Sequence, residues 1–432
     1  MKQIFFAIGL IFASLSAQAS TDIQEVESAG GFKAWLVEEP SIPFVALELR
    51  FKGGASLDAA GKRGAANLMV ALLEEGAGDL DARAFAQAGE SIAAQFKYDI
   101  GDDSLRISAK FLTETRDDAM ELLRLSMMSP RFDQDAIDRV RRQVIAGIQS
   151  DTKDPDSIAN QSWDHMVFGD HPYGSDYNGT EASVAALTRD DLVAAHQSIM
   201  TRDQVYVAAA GDISAEELAA LMDELLSDLP ATGATPPADL DVQTKAGVTV
   251  IPFDTPQSVA IFGHKGMKRH DPDFFAAYVL NVILGGGGFE ARLMQEVREK
   301  RGLTYGVYSY LVPKNHAELY LGRVASANDR IAEAVSVIQD EWAKMAENGV
   351  TQDELTRAKT YLTGAYPLRF DGNGPIARIL VGMQMEGLTP DYITTRNEQV
   401  DAVTLEDVKR VAAELLKPDA LRFVIVGQPE GL

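Results

Sequence analysis

The stretch "LTRDDLVAAHQSIM" (residues 187–200) decides the fold once it is set beside "VTLEDVKRVAAELL" (403–416). Both open on Thr-x-x-Asp, and both read as helices. Each runs into a closing strand, "DQVYVAAAGDI" (203–213) and "ALRFVIVGQ" (420–428). Moving outward, the helical period of "FDQDAIDRVRRQVIAGIQSD" (132–151) has its counterpart in "VTQDELTRAKTYLTGAYPL" (350–368), with Thr351 as a helix cap. Farther back, the alternating strand "FVALELRFKGG" (44–54) precedes a helix from about residue 61. The strands in "VTVIPFDTPQSVAIFGHKG" (248–266) precede a helix near 271–284. A repeat of this length in the same order implies two copies of one α+β domain. Between them, "LPATGATPPADLDVQTKAG" (229–247) has the Pro, Gly, Thr and Ala content of a flexible or extended connection. The expected divisions are residues 20–230, a linker over 231–247, and residues 248–432.

The first residues, "MKQIFFAIGLIFASLSAQAS", have a positive start at Lys2 and an apolar run over 4–15. A small-residue cleavage site, Ala17-Gln18-Ala19, stands before Ser20, so residues 1–19 read as an export signal and a bacterial periplasmic location is expected. No later segment is apolar enough to span a membrane. The chain has no cysteine, which removes disulfides, thiolate zinc sites and Cys nucleophiles. With 40 basic and 64 acidic residues the formal charge is −24, which disfavours nucleic-acid binding. The acidity reads first as keeping an exported protein soluble, with long-range attraction of cationic peptides as the alternative.

The chemistry-bearing residues are sparse. None of His165, His171, His196, His264, His270 and His316 sits four residues from another, the helical spacing that aims two imidazoles at one metal. His165 and His171 flank "MVFGD", read as loop, and each histidine alone reads as structural or surface. No G-x-S-x-G or P-loop occurs, and "GGGG" (285–288) reads as a flexible turn. Glu74–Glu75 reads as a solvated helix end, because adjacent helical residues do not face each other. In "GGGGFEARLMQEVREKRGLTYGVYSY" (285–310), a glycine loop, a charged helix, Gly302 as helix stop and a Tyr-rich strand succeed one another. The turn can bring Arg298 and Tyr305 to one cavity edge; the plainer reading pairs Arg298 with nearby Glu residues and half-buries Tyr305.

"ARLMQEVREKRGLTYGVYS" (291–309) resembles the C-terminal half of the M16 family of zinc peptidases, which includes mitochondrial processing peptidase, pitrilysin-type enzymes and insulin-degrading enzyme. The resemblance extends to "GGASLDAAGKRGAANLMVALLEEGAG" (53–78), "HPYGSDYNGTEASVAALTRDDL" (171–192) and "VAAAGDIS" (207–214), in order. It implies two homologous α+β domains, each a mostly antiparallel sheet with helices packed on it, facing each other as a clamshell (an M16/LuxS-like metallopeptidase fold). It also implies a zinc motif H-x-x-E-H with a distant Glu in the first domain, and an Arg and a Tyr seven residues apart in the second. Aligned on Gly64, the motif falls on Asn67, Val70 and Ala71, and the distant ligand falls near Gly147. Zinc needs three strong protein ligands and an open position for water, and these four residues cannot supply them. Arg298 and Tyr305 remain.

The resemblance therefore implies a chain with no catalytic residue and no cofactor of its own, zinc being expected in a partner. Arg298 and Tyr305 would bind substrate in a heterodimer with an H-x-x-E-H subunit acting on unfolded peptides. "GESIAAQFKYDIGDDSLRISAKF" (89–111) resembles the family's edge strand and its neighbour, to which a peptide can add; an ordinary strand pair reads equally well. Two other readings stand beside the subunit: a stand-alone peptide-binding or scaffold protein, and a peptidase whose metal residues lie elsewhere in the chain.

Overall fold

A computed structural model describes residues 22–432; the expected export signal lies outside the described residues. The first half contains strands β1 (Gln24–Glu27), β2 (Lys33–Glu38), β3 (Phe44–Lys52), β4 (Gly76–Ala77), β5 (Leu80–Asp81), β6 (Gln95–Ile100), β7 (Ser104–Leu112) and β8 (Val205–Gly211). Its helices are α1 (Ala65–Val70), α2 (Ala82–Ser91), α3 (Arg116–Met128), α4 (Gln134–Asp151), α5 (Pro155–Phe168), α6 (Glu181–Ala186), α7 (Arg189–Ile199) and α8 (Ala215–Leu226). The second half contains β9 (Gly247–Pro252), β10 (Gln257–Lys265), β11 (Val307–Pro313), β12 (Glu318–Ala327) and β13 (Arg422–Gly427). Its helices are α9 (Phe274–Asn281), α10 (Ile331–Asn348), α11 (Gln352–Ala365), α12 (Asn373–Met385), α13 (Tyr392–Ala402) and α14 (Leu405–Leu415).

Strand order makes the repeat explicit. The first sheet runs β1-β2-β8-β3-β7-β6 and the second, read from its other edge, β9-β13-β10-β12-β11. After β1 the two match strand for strand. β2–β8 and β9–β13 are the parallel pairs, and every other pairing in the two sheets is antiparallel. The matching helices α7 and α14 start alike. Thr188 accepts from the Asp191 N–H (3.3 Å) while Asp191 accepts from the Thr188 N–H (2.8 Å). Thr404 and Asp407 repeat the arrangement at 3.1 and 2.9 Å. Each cap satisfies backbone groups that the first helical turn leaves open, a contribution of about 1 kcal/mol. Thr351 caps α11 in the same way with Glu354.

Each sheet buries one face under its own helices, in two large apolar clusters. The other faces look toward each other, and there the halves exchange a helix. α12 of the second half lies on the first sheet, with Ala377, Leu380 and Val381 against Trp35, Val37, Ala46, Ala208 and Ala210. The alanines of β8 let that helix approach closely. Reciprocally, α5 of the first half lays Ala159 and Trp163 on Ile261, Val424 and Val426 of the second sheet. The clamshell is thus tied by two crossed helices as well as by its linker. The linker is extended and packed: Val242 is buried, and the Leu240 N–H donates to the His316 carbonyl (2.7 Å). Beside it, Lys314 reaches into the first half, 2.8 Å from Asp102 and 4.1 Å from the centre of the Tyr173 ring.

Several local expectations are corrected. "MVFGD" is not loop, since α5 continues through Phe168: Asp154 caps its start by accepting from the Ser157 N–H (2.9 Å), Pro155 suits the first turn, and Gly169 (φ 54°) ends it. Glu74 and Glu75 are no helix end, because α1 stops at Val70 and Glu75 pairs with Arg139. "GGGG" is not a loose turn: Gly285 is buried, and a Cβ there would lie 2.3 Å from Ser309 Oγ and 2.5 Å from its backbone nitrogen. His264, by contrast, is structural as expected: it is buried, with Trp342 Nε1–H donating to its Nε2 (3.0 Å), and burial holds its pKa down to about 4.

Candidate functional site

The helix α1 is firmly built at its entry. Gly64 takes φ 96°, where a side chain would be strained, and a Cβ would stand 2.6 Å from the Asn178 carbonyl. The carboxylate of Asp58 accepts from the Gly64 N–H (2.9 Å) and the Ala66 N–H (2.8 Å), capping the first turn from outside the helix. Arg63 fastens the same corner to Asp102 (2.9 Å) and to the Ser175 carbonyl (3.0 Å).

On this scaffold Asn67 is half-buried, Val70 points into the core, and Ala71 follows the last helical residue at the surface. Gly147 lies exposed on α4, with nothing within 4 Å of where its Cβ would be. An amide, an isopropyl group, a methyl group and a hydrogen atom make no zinc site, and none of them takes a proton from water. Among the described residues no group of three or more His, Asp and Glu side chains is placed to hold a metal ion. The residues at the family's metal positions do not fit the metal.

The second half presents a different picture. After α9 the helix widens over Val282–Gly286 and again over Met294–Glu299, where the Lys300 N–H reaches back five residues to the Gln295 carbonyl (3.0 Å). Widened turns of this kind concentrate at functional sites. Gly302 (φ 64°) then stops the helix, its N–H donating to the Arg298 carbonyl (2.7 Å). The chain turns back, so Arg298 and Tyr305 meet: the guanidinium carbon is 4.8 Å from the Tyr305 ring centre. It is also 4.8 Å from the ring of Phe289, so Arg298 is sandwiched between two aromatic faces. Tyr305 lies ahead of β11 rather than on it, and it is 88% exposed rather than half-buried. A residue free of the sheet on a short loop can turn its ring onto the arginine.

Arg298 touches Glu299 (3.4 Å), as the plainer reading had it, but among the described residues its guanidinium makes no hydrogen bond, and neither does the Tyr305 hydroxyl. Both therefore keep donors free. Tyr305 stands at a cavity of about 770 Å³ lined also by Gln257, Tyr308, Arg323 and, from the first half, Asp156. Asp156 pairs with Arg323 across the halves. Phe289 is the member of this constellation that sequence reasoning missed; its signal is an aromatic residue directly after a glycine run, 59% exposed. β6 is one of the two edges of the first sheet, bonded only to β7 among the described residues.

Comparison with known proteins identifies the family of the two domains. Residues 33–181 match the family model described as insulinase (peptidase family M16), and residues 186–362 match that of the peptidase M16 inactive domain. A non-peptidase homolog, YmxG of Helicobacter pylori, is 27% identical over 430 residues, 99% of this chain and 98% of its own. An uncharacterized zinc protease of Mycobacterium leprae is 26% identical across 94% of this chain and 92% of its own. The crystal structure of a peptidase M16 inactive domain from Pseudomonas fluorescens matches with a TM-score of 0.88 at 31% identity, over 94% of this chain and 98% of that one. With two M16 domains and no metal-binding residues at the motif positions, the chain belongs to the M16 peptidase family as a non-peptidase homologue.

Proposed function

We propose that this protein is the non-catalytic, substrate-binding subunit of an M16-type peptidase, exported to the periplasm by residues 1–19 and paired with a zinc-bearing H-x-x-E-H chain. The observation that carries this reading is the Arg298–Tyr305 pair, stacked and with unused donors, its tyrosine lining a cavity to which both halves contribute. In the closed assembly the planar fork of Arg298 donates to a peptide carbonyl, and the Tyr305 hydroxyl donates to the oxygen on which charge develops. Main-chain pairing with the open edge of β6 supports an extended peptide. The zinc, and with it the water nucleophile, belongs to the partner.

The test is reconstitution with the H-x-x-E-H chain that co-purifies from the native host. This chain alone leaves unfolded peptides intact, and the pair cleaves them. Arg298→Ala lowers cleavage on the order of a hundredfold without changing the elution volume of the pair, the scale of losing one transition-state donor. Undiminished cleavage by an intact Arg298→Ala pair refutes the role given to the arginine. Failure of any such chain to co-purify, with peptide binding retained, favours a stand-alone peptide binder.

A further inference from the structure

The inner face of the first sheet is only half covered by α12, and its uncovered part is an ordered polar grid. Strand register sets out three rows: Ala46 beside Lys110 beside Gln95, Glu48 beside Ser108 beside Lys97, and Arg50 beside Arg106 beside Asp99. Alternation along each strand puts all nine on one face. α12 covers the alanine end. From its first turns Gly374 leaves room for Lys110, and Arg378 points at Glu48 (3.8 Å), where the grid opens into a cavity of about 610 Å³.

The charge on this face opposes that of the whole chain. Lys97, Lys110, Arg50, Arg106 and Arg378 stand against Glu48 and Asp99, in a protein of formal charge −24. Glu74, on the turn after α1, and Glu90, on α2, line the same cavity. Asp99 is taken by Arg106, with Lys97 at 3.5 Å. Lys110 has no ionic partner among the described residues, and Arg378 has only the distant Glu48. Glu48, 3% exposed, keeps Oε2 without a hydrogen bond, as Arg50 and Arg106 keep Nε. The platform has polar capacity that the chain itself does not use.

We propose that this platform and the open edge of β6 form a specificity site for acidic side chains of an extended peptide. The inference rests on the peptide-binding reading above. A strand added to β6 lies roughly 4.8 Å beyond it, so its inward side chains continue the three rows. A glutamate in the middle row meets Lys97, with Lys110 and Arg378 behind it. A lysine in that position faces like charge.

The probes are three labelled extended peptides of one sequence, with Glu, Gln or Lys at alternate positions, titrated into the full chain by fluorescence anisotropy. Lys97 and Arg378 are 68% and 50% exposed at their side chains, so Lys97→Gln with Arg378→Gln leaves folding intact. The Glu peptide binds about tenfold tighter than the Gln peptide, the sum of two modest ion pairs, and the Lys peptide binds most weakly. The double variant loses this preference while still binding the Gln peptide. Equal affinity of all three peptides overturns the acidic specificity and leaves peptide binding standing. A Glu preference that survives in the double variant overturns its placement on this platform. No binding by any peptide overturns the peptide-binding reading, and this inference with it.

Discussion

Trp163→Ala tests whether the exchanged helices bind the halves together. Trp163 belongs to the first half by sequence, yet its indole is 1% exposed against Ile261, Val424 and Val426 of the second sheet. Its Nε1–H has no partner, so truncation breaks no hydrogen bond and the loss is one of burial and packing. Removing a fully buried aromatic side chain costs about 3–5 kcal/mol, transfer and cavity together. Urea unfolding followed by circular dichroism measures that loss, with Met166→Ala as control: Met166 lies on the same helix but is 39% exposed, so its change stays within about 0.5 kcal/mol. Location is the sharper readout. Hydrogen exchange rises in β10 and β13, the strands under α5, and not in β3 and β8. Leu380→Ala on α12 reverses the pattern, loosening β3 and β8 at a cost of about 2–5 kcal/mol. A loss below about 1 kcal/mol for Trp163→Ala, or added exchange confined to the first sheet, refutes the crossed-helix account.

Gly285→Ala drives a methyl group into Ser309 and its backbone; it destabilises the chain by about 1–3 kcal/mol in thermal unfolding and perturbs β11. Asp164 is half-buried beside Lys314, Asp102 and Asp176, and burial lifts its carboxyl to about 7. The folded state therefore keeps a proton that the unfolded chain releases above about pH 4, so stability falls as pH rises from about 4 to 7. Asp164→Asn stays neutral, and its advantage over the natural chain, about 1–3 kcal/mol, grows from pH 5 to pH 8 in urea titrations; a constant difference between those pH values refutes the assignment. Purified chain, loaded with zinc and desalted, holds no stoichiometric metal by elemental mass spectrometry. Asn67→His, Ala71→His and Gly147→Glu together restore the three donors and raise it toward one zinc per chain, and a folded triple variant without zinc shows that these are not the metal positions.

The duplication was legible because its signals are local. Caps at Thr188, Thr351 and Thr404 and the alternation of β3 are written in a few adjacent residues each. The exchange of helices was not, because α5 and α12 each look like an ordinary helix, and which sheet receives Trp163 or Leu380 is settled only in three dimensions. The widened turns around Arg298 have no propensity signature, so Phe289 stayed out of view and "GGGG" passed for slack chain instead of a packed contact. At the metal positions that the resemblance implies, the residue types are the whole of the argument against zinc ligation. The basic platform was invisible for the opposite reason: its members come from β3, β6, β7 and α12, and the charge of the whole chain has the other sign.

The structure separates what maintains the fold from what serves a ligand. The core residues, the Asp58 cap, the Arg63 anchor and the crossed helices are buried or bonded, and their removal is paid for in stability. Tyr305 and Phe289 are not of that kind. At 88% and 59% exposed they bury little apolar surface, and stacking on Arg298 at the surface contributes only about 0.5–1 kcal/mol each. Folding alone gives no reason to hold an arginine with free donors between two exposed aromatic rings, one of which lines a cavity. The residue types at Asn67, Val70, Ala71 and Gly147 do not account for this arrangement either. Substitution of Tyr305 is therefore a change in ligand capture far more than in stability, which sets this loop apart from every buried residue around it.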